Sequence, residues 1–245
     1  MTMMTATPQG RDIVLVHGAW QGAWCWRRVL PALWQAGHRV HTVTLTGVGE
    51  RSHMAHAGIT LHTHIEDVVR VIECGELQQV MLVGHSYSGM VITGVAQRLP
   101  QRLARLVYLD AVVPEPGESW SSRHSPETQR LRRELIARFG HLPPSPATGM
   151  GLTPEDQAWV ERQQTPHPGG VYDSPLDFDP QRLATLPRCF IDCNDPPLPT
   201  VAIARERVRR QPGWQVLEIA TGHDAQISAP QALIEHLLAL AAAPL

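Results

Sequence analysis

Short apolar, β-branched runs alternate along this chain with amphipathic segments of helical period, and that alternation limits the fold more than any other feature. Arg11–Val16, His38–Leu45, Val80–Gly84, Leu106–Leu109, Cys189–Ile191 and Trp214–Ile219 read as strands. Between and after them, Trp24–Gln35, Leu61–Cys74, Tyr87–Leu99, Ala202–Arg210 and Pro230–Ala243 read as helices, two of them closed by Gly37 and Gly75. Arg11–Val16 is a short β-branched run that stops at His17-Gly18 and reads as a buried strand. Strand–helix–strand repetition demands a mostly parallel sheet with crossover helices on both faces, an α/β fold. The stretch 113–186 breaks the rhythm. It is rich in proline and carries two helical pieces, Pro126–Phe139 and Pro154–Gln164. It reads as a cap inserted into a core made of 1–112 and 187–245, lying over the carboxyl ends of the strands, where open α/β sheets place their ligands. At 245 residues, such a chain buries a full core without staples.

Composition narrows the function classes. The formal net charge is -2 and all 21 basic residues are arginine, so the chain lacks the basic field of a nucleic-acid platform. No apolar run approaches the ~20 residues of a membrane span. Met1–Thr5 has no basic region leading into an apolar stretch, so no signal peptide is expected. The four cysteines, Cys25, Cys74, Cys189 and Cys193, form no CxxC pair and read as reduced thiols of a cytoplasmic protein. His53, His56, His62 and His64 lie close in sequence, but His62 and His64 are two apart at a helix start and face different ways, so no metal site is expected.

The most informative stretch is Val80-Met81-Leu82-Val83-Gly84-His85-Ser86-Tyr87-Ser88-Gly89. A serine sits between a buried strand and a helix, with small residues two before and two after. That is the nucleophile-elbow arrangement, with Ser88 where the strict pattern has glycine. A serine hydroxyl needs a base. Of 13 histidines, His223 follows the last strand and precedes the last helix, at the sheet edge that carries Ser86. His17 and His85 compete less well: His17 opens the loop expected to supply an oxyanion N–H, and His85 should point away from Ser86. Two carboxylates compete to orient His223. Asp195 follows the fifth strand, and Asp110 ends the fourth, in an apolar run where a charge needs a partner. The balance tilts slightly to Asp110, with Asp192 a distant third. The backbone N–H groups of Tyr87 and Ala19 are placed for an oxyanion hole. Trp20 and Tyr87 are the side chains expected near the substrate.

These residues resemble the α/β-hydrolase superfamily over essentially the whole chain. His17-Gly18-Ala19-Trp20-Gln21-Gly22-Ala23-Trp24-Cys25-Trp26 is similar to the plant methyl-salicylate esterase and hydroxynitrile lyase group. Thr44–His53 and Leu106–Ala111 are more similar to bacterial carboxylesterases, including pyrethroid-hydrolase relatives. The resemblance implies a cofactor-free serine hydrolase with a small helical cap, and supports the roles of Ser86, His223, Ala19 and Tyr87. It divides on the acid: the plant group matches Asp195, the bacterial relatives Asp110. The lyases use a lysine beside the catalytic histidine and a threonine in the first loop. Here Asp224 follows His223, Trp20 follows Ala19 and no lysine exists, which argues against lyase chemistry. The expectation is an enzyme acting on medium-sized hydrophobic or aromatic carboxylic esters, its partner a small-molecule ester. A lyase and a slow-turnover binding protein are the alternatives, and a homodimer is left open.

Overall fold

The computed structural model describes residues 10–244; the segment read as lacking a signal peptide lies outside them. Six strands form one parallel sheet: β1 (Asp12–Val16), β2 (Arg39–Val43), β3 (Val80–His85), β4 (Leu103–Leu109), β7 (Arg188–Cys193) and β8 (Trp214–Ile219), in the order β2-β1-β3-β4-β7-β8. Two short antiparallel strands, β5 (His141–Leu142) and β6 (His167–Pro168), pair outside it. The helices are α1 (Leu30–Gln35), α2 (Leu61–Cys74), α3 (Ser88–Arg98), α4 (Pro126–Phe139), α5 (Pro154–Gln163), α6 (Pro180–Ala184), α7 (Ala202–Arg210), α8 (Ala225–Ser228) and α9 (Pro230–Ala242). Among the described residues no helix is long and apolar enough to cross a membrane.

Period-two alternation builds two cores from one sheet. Val14, Val16, Leu82, Leu106, Tyr108 and Phe190 pack with Ile65, Val68, Val69 and Ile72 of α2 and Met90, Val91 and Val95 of α3. Their neighbours Ile13, Leu15, Met81, Val83, Val107, Leu109 and Ile191 pack with Trp26, Leu33 of α1 and Leu233, Leu237 and Leu240 of α9. The central strands are thus covered on both faces.

One expected helix is broken. Trp24–Gln35 is a short 3-10 turn, Ala23–Trp26, followed by α1 from Leu30. Pro31 explains the restart, because it has no N–H to give to a preceding turn and fits only in the first turn of a helix. The segment between β4 and β7 carries α4, α5, α6 and the β5–β6 pair, with α4 capped by the Ser125 side chain at one end and Gly140 in the left-handed region at the other.

Strand order reverses beside β1: the chain passes from β1 out to β2, then returns to β3 on the other side. The loops after β1 and β3 therefore diverge and open a crevice at their carboxyl ends, the switch point where such sheets bind ligands.

Candidate active site

Register brings the site residues to one edge. Val16 lies opposite Gly84, His85 opposite Leu109, and Leu109 opposite Ile191. The next residues on β3, β4 and β7 are Ser86, Asp110 and Asp192, so three polar groups stand at one level on adjacent strands, while His17 after β1 is level with His85, one residue lower. The Ser86 N–H donates to Leu109 O (3.2 Å) and the Asp110 N–H to Ile191 O (2.8 Å).

Ser86 has φ 55° and Asp110 φ 40°, both in the left-handed region that is strained for residues with a Cβ. The Ser86 carbonyl accepts from the N–H groups of Gly89 (3.1 Å) and Val112 (2.9 Å), which holds the turn. Small neighbours are required. A Cβ on Gly84 would stand 2.7 Å from Ser88 O, and one on Gly89 1.9 Å from Val112 O. Ser88 fits where the strict pattern has glycine, and its hydroxyl donates to the His17 carbonyl.

His223 lies between the two strained residues. Its Nδ1 is 2.7 Å from Asp110 Oδ2 and its Nε2 is 2.8 Å from Ser86 Oγ. A carboxylate only accepts, so Nδ1 carries the proton and Nε2 accepts from the serine hydroxyl. Burial pulls the imidazole's pKa down, but the hydrogen bond and charge of Asp110 overcome that and leave it above its ordinary value.

The other acid candidates stand elsewhere. Asp195 is exposed on the turn after β7, and its backbone N–H donates to Thr221 O (3.0 Å). It is not the carboxylate that meets His223. Asp192 is buried but pairs with Arg205 and with Arg209 (2.6 Å) of α7. Sequence reasoning missed Arg205, which also donates to Asp110 Oδ1 (2.7 Å), Cys193 O (2.9 Å) and Leu198 O (2.8 Å). The available signal was two acids ending apolar strands, followed by an arginine-rich helix.

The competing histidines are held neutral. His17 accepts from Leu45 N–H through Nε2 (3.1 Å) and donates through Nδ1 to Gly18 O (2.7 Å); burial pushes its pKa down to about 3. His85 donates to the His223 carbonyl (3.0 Å), and burial, aided by His223, lowers its pKa to about 4.

The loop after β1 is braced by a side chain also overlooked in the sequence. Gln21 Oε1 accepts from the Gly18 N–H (3.3 Å), while its Nε2 donates to Asp224 Oδ1 (2.7 Å). Among the described residues, neither the Ala19 nor the Tyr87 N–H has an acceptor within the protein. Tyr87 also begins α3, at the helix end with free N–H groups and positive dipole.

A cavity of about 200 Å³ lies over Ser86, lined by Gly18, Ala19, Trp20, His223 and, from the segment between β4 and β7, Trp120, His124, Arg132 and Met150 among others. Trp20 faces it as expected, and Trp120 joins it. The Tyr87 ring does not. It is buried against Trp120 and His167, and its hydroxyl donates to His64 Nδ1 (3.0 Å), since His64 Nε2–H is given to Thr46 O (2.9 Å). Tyr87 is therefore placed at the site by its backbone rather than its ring. Of the four clustered histidines, His64 is buried while His53, His56 and His62 are exposed. No three metal-binding side chains converge among the described residues.

Residues 13–236 match the profile of the α/β hydrolase family, and the chain belongs to that family. Within it, similarity runs to named esterases and hydrolases. The chain is 41% identical to a carbendazim hydrolyzing esterase of Nocardioides sp., over 94% of this chain and 99% of the relative. It is 30% identical to a pyrethroid hydrolase of Sphingobium wenxiniae, over 95% and 88%. In fold it is similar to an extracellular α/β-hydrolase from a Paenibacillus species (TM-score 0.82, 21% identity, 94% of this chain and 98% of that one).

Proposed function

We propose that Ser86, His223 and Asp110 are the catalytic triad of this ester-cleaving hydrolase, with the Ala19 and Tyr87 N–H groups as oxyanion donors. The observation that carries the reading is one imidazole joining Ser86 Oγ at 2.8 Å and a fully buried carboxylate at 2.7 Å. Ser86 Oγ attacks the ester carbonyl while His223 Nε2 takes its proton. Asp110 holds the imidazole in the required tautomer and stabilises the imidazolium that forms. The carbonyl oxygen, now charged, receives the two backbone N–H groups, each worth about 2.7–4 kcal/mol in such sites. His223 then protonates the departing alkoxide, and water repeats the cycle on the acyl-enzyme.

Trp20, Trp120 and Met150 suit a medium-sized hydrophobic or aromatic ester, in keeping with relatives named for carbendazim and pyrethroid hydrolysis. Residues 113–186 act as a cap on the core formed by 1–112 and 187–245. The compartment is read as cytoplasmic, on four cysteines without a pairing pattern. The test is intact mass spectrometry after exposure to a fluorophosphonate. A single adduct on the wild type and none on Ser86→Ala is expected. An unlabelled wild type would overturn the reading in favour of a non-hydrolytic or binding role.

A further inference from the structure

The cavity over Ser86 is less apolar than its tryptophans suggest. Arg132 reaches its wall from α4 and stands over three rings, 5.3 Å from the Trp120 centroid and 5.6 Å from those of Trp20 and Tyr172. The rings attract the cation, but they accept no hydrogen bond of ordinary strength. Its Nη1 is buried without a hydrogen-bond partner, and among the described residues it forms no salt bridge. The next residue, Arg133, takes Asp173 in a bidentate pair at 2.9 Å. The one carboxylate on the cavity lining, Asp224, is engaged by Gln21 (2.7 Å) and Gln226 (3.1 Å). His124, beside Arg132, is kept neutral by burial and by the two nearby arginines. The wall facing Ser86 from the segment between β4 and β7 therefore carries a positive charge that is partly withdrawn from water and, among the described residues, is paired with no anion.

Such a charge is costly unless something answers it. A guanidinium's planar fork matches a carboxylate through two parallel hydrogen bonds. Accepting the triad reading above, we propose that the preferred substrate is an aromatic ester bearing a second, free carboxylate, which Arg132 binds while Ser86 attacks the ester. The aromatic body lies against Trp20 and Trp120, and Arg132 determines specificity rather than taking part in the chemistry.

The test compares monomethyl terephthalate with its neutral counterpart, methyl 4-carbamoylbenzoate, on the wild type, R132Q and R132K. The wild type is expected to favour the anionic ester in kcat/KM by about 10- to 100-fold, the range of a hydrogen bond to a charged group. R132Q should bring that ratio close to one, and R132K should retain part of it. Both esters are measured on the same preparation, so a loss of folded protein cancels from the ratio. A wild type without preference, a ratio unmoved in R132Q, or turnover of neither ester by a protein whose Ser86 takes the fluorophosphonate would each overturn the proposal. Failure of the fluorophosphonate adduct itself would instead overturn the triad reading.

Discussion

Arg205 Nη2 donates to Asp110 Oδ1 at 2.7 Å, on the oxygen opposite the one that takes the His223 N–H. The carboxylate is thus clamped between a permanent cation and an imidazole. Arg205 also holds Asp192 and two backbone carbonyls, so it fixes the ends of β4 and β7 together. Its charge lowers the pKa of His223. Arg205→Met should move the acidic limb of the kcat/KM profile to higher pH. It should also destabilise the fold, because two buried carboxylates each lose one cation, although Asp192 keeps Arg209 and Asp110 keeps His223. A pH–rate profile and urea unfolding read the two effects; an unmoved limb would count against the electrostatic link.

On the proposed triad, His223 serves as base only as neutral imidazole, and its pKa lies above the ordinary histidine value. Activity should therefore fall as pH drops through a midpoint above ~6.5. Asp110→Asn supplies the wrong hydrogen-bonding partner to Nδ1 and should cost about 10⁴-fold in kcat. Asp195→Asn, on the exposed turn, should change kcat less than about twofold. Equal losses in the two variants would refute the assignment of the acid.

Five buried histidines, His17, His64, His85, His124 and His167, have pKa values lowered chiefly by loss of solvent. In each the unfolded chain binds the proton more readily. Their contribution to stability is full above ~6.5 and is lost as pH falls toward the folded values, each by about tenfold in the folding equilibrium per pH unit. His223, with its raised value, opposes this by only one proton. Thermal melts should show Tm dropping steeply between about pH 6 and 4.5; a flat Tm across that window would contradict the burial of these rings as neutral groups.

Tyr87→Phe removes the hydroxyl that His64 Nδ1 accepts and leaves a buried acceptor without a partner. A loss of about 1–3 kcal/mol in unfolding free energy is expected. Because the Tyr87 backbone N–H persists, kcat should stay close to wild type. A large loss in kcat with stability intact would show that the ring, not the backbone, serves the substrate.

Much of this was legible because both faces of the central strands are buried. A strand covered twice is apolar throughout, so the central runs stand out, while the edge strands β2 and β8 are half-buried and mixed in composition. The β4 start escaped notice because Arg105 interrupts it; the side chain is nevertheless buried, donating to Gln215 (3.4 Å) and Pro244 O (3.3 Å). The elbow around Ser86 is local, so its small residues announce it. The proposed acid is not local. Asp110 and Asp195 both end strands, and only the register and the left-handed turn at Asp110 bring one of them to His223. Arg132 and Arg205 left no motif, since each acquires meaning from rings or carboxylates remote in the chain.

The residues nearest the proton relay are fixed to the sheet edge, whereas Trp120, His124 and Arg132 come from the segment between β4 and β7. If the proposed triad and the proposed role of Arg132 hold, reactivity and much of the selectivity are carried on separable parts of one chain. Substitutions confined to 120–164 can redraw the range of accepted esters while the strained turns beneath stay as they are, and an engineer seeking a new substrate has reason to leave the sheet alone.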